Sequence, residues 1–202
     1  MLNQIDKEKI NTGINRIIKD IKNALPKDDK TIIKGIEELK KISTNITITE
    51  SKMLLSDICG YLRKETLKKE IYEKIDNKLK FDDLDMYNKI DNKFIFELPK
   101  NINYKNGEEL NKVLIQSGII FSASGAVSLI IKSIIPISIG LILAGVWYYI
   151  EQKNGNIKKE KMNEITNNYL NNLKVSLQKW VQSIEEYYDD EVEKFERKLK
   201  NE

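Results

Sequence analysis

The sequence predicts an all-α protein: an elongated antiparallel helical bundle, or stalk, with an apolar helical hairpin at one end. Three observations carry this reading. Apolar residues recur at three- and four-residue steps through most of the 202 residues. Only three Pro and nine Gly occur, which leaves long uninterrupted stretches. One block, Val113 to Ile150, holds a single charge, Lys132, in 38 residues of a chain that is 32% charged.

Residues 2 to 24 read as an amphipathic helix. Leu2, Ile5, Ile10, Ile14, Ile17, Ile18 and Ile21 fall on one stripe, and Pro26 stops it. A second helix starts at Asp28 or Asp29, either of which can cap it, and runs to Ile42. The run 43 to 49, STNITIT, is β-branched and polar and reads as a linker. A third helix covers 50 to 80 through Met53, Leu54, Ile58, Leu62, Leu67, Ile71, Ile75 and Leu79. Leu84, Tyr87, Ile90 and Phe94 keep the helical step and predict further turns before Pro99. Residues 99 to 107, PKNINYKNG, form the clearest loop.

The apolar block follows. Val113 to Ile131 gives 19 residues without a charge and Ser133 to Ile150 gives 18 more. At ~1.5 Å per residue each half spans roughly 27–29 Å, close to a hydrocarbon core of about 30 Å. Gly118, Ser122 and Ala126, then Gly140 and Ala144, place small residues at four-residue steps, which lets two helices approach closely. A hairpin folded near Lys132–Pro136 results. Residues 157 to 200 then read as one long helix, with apolar steps from Ile165 through Tyr169, Leu173, Leu177, Val181, Ile184, Tyr188, Val192 and Phe195 to Leu199. Its outer face offers Asp190 to Lys194, Glu193 to Arg197 and Glu196 to Lys200 as four-residue charge pairs. The expected organisation is residues 1–107 as an N-terminal stalk segment, 108–151 as the hairpin and 152–202 as the long stalk helix.

Composition narrows the function. The net charge of +3 and the lack of a basic stripe with interleaved aromatics argue against nucleic acid as a partner. Cys59 is the lone cysteine, which fits a reducing compartment. The first ten residues lack the apolar core of a secretory signal. Heavy use of Ile, Lys and Asn points to an AT-rich bacterial genome.

Chemistry is sparse. No His is present, which removes the commonest general base and transition-metal ligand. Cys59 therefore has no His to activate it. The run GAVSLIIKS from Gly125 has the wrong spacing for a phosphate loop and lacks its second Gly. Two acidic groups remain: Asp82, Asp83 and Asp85, and Glu185, Glu186, Asp189, Asp190, Glu191 and Glu193. The second reads as a solvated helix face, with a hard-cation site as its alternative, and Trp180 reads as packing. No catalytic, cofactor-binding or metal residue is expected, and the chain reads as a non-enzyme.

The block either meets a membrane or is buried by other helices. Gln116, Ser117, Ser122, Ser124 and Ser128 moderate its first half and favour burial. The narrow apolar stripes of the flanking helices, used up in pairing with each other, favour the membrane. The expected membrane-binding residues are then the tip: Ile130, Ile131, Lys132, Ser133, Ile134, Ile135, Pro136 and Ile137. Lys132 must snorkel or reach the far headgroups. Trp147, Tyr148 and Tyr149 sit where an aromatic belt would lie. Lys153, Lys158, Lys159 and Lys161 follow and favour the cytoplasmic side of the inner (plasma) membrane.

The order of helical stalk, hairpin rich in Gly, Ala and Ser with a central Pro, and long returning helix resembles the C-terminal part of bacterial dynamin-like proteins. SIIPISIGLILAGVWYYI and the helix after it carry the likeness, over residues 105 to 200. The resemblance implies a membrane-binding paddle at the tip of a trunk. The GTP-binding domain of that family has no counterpart in this sequence, so the resemblance implies a GTPase-less relative, a separate lipid-binding partner of a GTPase subunit, or a fragment of a larger protein. Homo- or hetero-oligomers through the stalk helices are implied as well. Two alternatives stand: a helical pore-forming toxin component, and a two-span inner-membrane scaffold with a coiled-coil domain.

Overall fold

The computed structural model describes residues 1–25, 32–94 and 159–201. These hold five α-helices and a short 3-10 turn, with no strand among the described residues: α1 Gln4–Ala24, α2 Ile32–Thr66, the turn Glu70–Tyr72, α3 Ile75–Asp82, α4 Met86–Phe94 and α5 Lys159–Asn201. The expected hairpin and both expected domain boundaries, at 107/108 and 151/152, lie outside the described residues.

α1 begins where its sequence can satisfy the free amides of a first turn. The Asn3 side chain accepts from the Asp6 amide at 2.8 Å, and its own Nδ2 donates to the Asp6 carboxylate at 2.8 Å. This reciprocal cap fixes the start of the helix. α1 ends at Ala24, and Leu25 is extended, as a residue before proline is pushed to be. Between these ends Ile10, Ile14, Ile17 and Ile21 are buried, whereas Ile5 lies off the stripe at 66% exposure.

Paired residues fix the helix directions. Asn3 bonds Glu65, Lys9 lies over the Tyr61 ring and Arg16 pairs with Glu50, so α1 runs antiparallel to α2. A Cβ on Gly13 would meet Leu54 Cδ1 at 3.0 Å, so the two helices pack tightly there. Leu2 with Glu185 and Asn11 with Gln178 make α1 antiparallel to α5 as well. Ser43 meets Tyr169 near one end, and Lys69, just beyond α2, meets Glu196 near the other, so α2 and α5 run parallel. The Phe81–Phe195 contact and the Trp180–Phe94 bond send α3 and α4 back along α5. α1 and the α3–α4 arm thus run opposite to α2 and α5.

Two stretches depart from the sequence expectation. Residues 43–49 are a continuous part of α2 rather than a linker. Ser43, Thr44, Thr47 and Ser51 are buried on the same side as Leu39, Leu55, Ile58 and Leu62. The β-branched residues give up helix propensity, and burial of the face they continue outweighs it. Ser51 returns its hydroxyl to the Ile48 carbonyl, which removes one buried donor from the count.

The predicted helix over 50 to 80 instead stops at Thr66. The chain turns through Leu67–Lys69, and Lys69 N–H bonds the Thr66 carbonyl at 3.1 Å. This changes the helical phase. Tyr72 and Phe81 enter the core, stacked edge to face at 5.2 Å, while Ile75 and Leu79 are 72% and 59% exposed. Phe81 is the one buried residue of α3. Asp85, at φ 49°, makes the tight link into α4, where Met86, Ile90 and Phe94 are buried.

Candidate functional site

The residues expected at the membrane, Ile130 to Ile137, lie outside the described residues. What the structure places is the machinery on either side of them. In α4 the Phe94 main-chain carbonyl accepts the Trp180 indole N–H at 2.9 Å in a buried bond. Tyr187 stacks on Phe94 at 5.5 Å, and the Lys93 ammonium sits 3.9 Å from the Tyr187 ring centre. Trp180 packs as expected and also donates this bond, a role its helical spacing alone does not reveal.

On α5, Tyr169, Leu170, Leu173, Leu177, Ile184, Tyr188 and Val192 are buried, while Phe195 and Leu199 pack partly buried on the same core. Tyr169 donates to the Ser43 hydroxyl at 2.8 Å, and burial pushes its phenol well above the usual tyrosine range. Tyr72 donates to Glu196 at 3.2 Å, and burial, then the Glu196 charge, raises its phenol too.

The acidic residues of α5 spread over several neighbours. Glu185 accepts the Leu2 amide at 2.7 Å, and Glu191 faces Lys89 at 3.8 Å and Lys194 at 3.0 Å. Lys194 also pairs with Asp190 at 2.7 Å, and this contact chiefly holds its ammonium above the usual lysine range. Glu193 pairs with Arg197 as expected. Glu196, expected to meet Lys200, instead meets Lys69 at 2.7 Å and ties α5 to the turn after α2. Asp82 is held bidentately by Arg63, with contacts of 2.9 and 3.0 Å. Among the described residues no group of three or more His, Cys, Asp or Glu is placed to hold a metal ion.

Cys59 is buried at 7% exposure. Burial, helped by the Asp91 charge, pushes its thiol up to about 12, so it stays protonated and unreactive. No described helix is long and apolar enough to cross a membrane. Protein-family models, curated proteins and solved structures offer no match to this chain.

Proposed function

We propose that this chain is a non-enzymatic, membrane-associating helical protein. An elongated stalk carries the apolar hairpin of residues 108–151, whose tip, Ile130 to Ile137, enters the bilayer. The reading follows the resemblance to the paddle of dynamin-like proteins, and it makes the chain a lipid-binding partner of a GTPase subunit on the cytoplasmic face of a bacterial membrane.

One observation carries it. The block Val113–Ile150, with Lys132 its single charge, is inserted between two helices that already have partners. α4 buries Met86, Ile90 and Phe94, and α5 buries its stripe from Tyr169 to Val192 with α1, α2 and α4 packed around it. A further 38 residues of nearly unbroken apolar sequence have a use at a bilayer. The energy is sufficient. About 400 Å² of tip buried at about 25 cal/mol/Å² gives on the order of 10 kcal/mol before ordering costs.

The test is expression without detergent, then flotation with and without anionic liposomes. Protein that is soluble alone and floats only with vesicles supports reversible docking. Protein found only in membranes and resistant to carbonate is a two-span scaffold. Release of dye from loaded vesicles would make it a pore-forming component. Soluble protein that never floats overturns the membrane reading.

A further inference from the structure

We draw no further inference here: the strongest candidate, the exposed apolar face that Ile75 and Leu79 form on α3, is flanked by exposed charges of both signs (Glu73, Lys74, Asp76 and Lys78), and nothing in the structure shows what covers it.

Discussion

The Trp180 indole nitrogen lies 2.9 Å from the Phe94 main-chain carbonyl, joining two residues 86 apart in sequence within a buried contact. The bond ties α4 to the middle of α5. Phenylalanine at position 180 would keep most of the packing and orphan the carbonyl. Trp180→Phe should therefore cost about 1–3 kcal/mol, the usual penalty for an unmatched buried polar group. Urea denaturation followed by far-ultraviolet circular dichroism would read it. An unchanged midpoint would show that the bond does not hold α4 in place.

Ser43 and Thr47 lie one turn apart on the buried face of α2 and have opposite hydrogen-bond status. Ser43 accepts from Tyr169 at 2.8 Å, whereas the Thr47 hydroxyl is buried without a partner. Ser43→Ala strands the phenol and should destabilise by about 1–3 kcal/mol. Thr47→Val removes an unsatisfied group at nearly constant shape and should be neutral or stabilising. The same ordering in thermal and urea melts is expected, and the reverse ordering would discredit the packing of residues 43–49 as helix.

The α3 arm hangs on one side chain. Phe81 is 2% exposed and contacts both Tyr72 and Phe195, while Ile75 and Leu79 face solvent. Phe81→Ala should cost about 3–5 kcal/mol, as truncation of a core aromatic does. Ile75→Asp and Leu79→Asp should each stay within about 0.5 kcal/mol, as exposed substitutions do. If the two exposed variants proved the damaging ones, an uninterrupted helix over residues 50 to 80 would be the better description.

These contrasts show where sequence is informative and where it is not. α1 and α5 follow from their spacing because one constant period runs their whole length without Pro and meets a long partner. Ser43, Thr44 and Thr47 look like linker chemistry because hydroxyls and β-branches lower helix propensity, and only the packing of α2 against α5 shows why they are buried. The break after Thr66 carries no Gly or Pro, so Ile75 and Leu79 continue the pattern in sequence while the backbone has already changed phase. Tyr188 is one of the apolar steps read from sequence, but Met86 is not: the spacing selects Tyr87, which is 43% exposed, and the space that Cys59, Met86 and Tyr188 line depends on how α3 and α4 fold back. The cross-helix partners of Glu196 and Trp180 likewise require the fold.

Alkaline pH should unfold the bundle. Cys59 and Tyr188 are both pushed up to about 12 by burial, and Tyr72 and Tyr169 are raised further in the same direction. In the unfolded chain these groups ionise near the ordinary values of 9.0 for cysteine and 10.0 for tyrosine. The folded state therefore holds more protons above those values, and stability falls as pH rises. It is fully present below pH about 9 and declines as pH climbs toward 12, the folded value for Cys59 and Tyr188. Phenolate absorbance should show Tyr72, Tyr169 and Tyr188, of nine tyrosines, ionising together with loss of helix rather than before it. Independent titration of all nine in a still-helical protein would contradict their burial.

The proposed tip makes charge and apolarity separable. Lys132 is the single charge of the block and, at a hairpin tip, would reach the headgroups, whereas Ile134, Ile135 and Ile137 would supply the buried area. Lys132→Glu should weaken flotation on anionic vesicles and leave binding to neutral vesicles nearly unchanged, because it reverses about 1 kcal/mol of surface attraction without removing apolar contact. Two aspartates among Ile134, Ile135 and Ile137 should abolish flotation on both kinds, since each charge near the bilayer interior costs roughly 2.5–3.5 kcal/mol. The described bundle serves as the control: its circular dichroism and urea midpoint should match the parent in every variant. Folded variants that float like the parent would place the membrane contact elsewhere in the chain or remove it altogether.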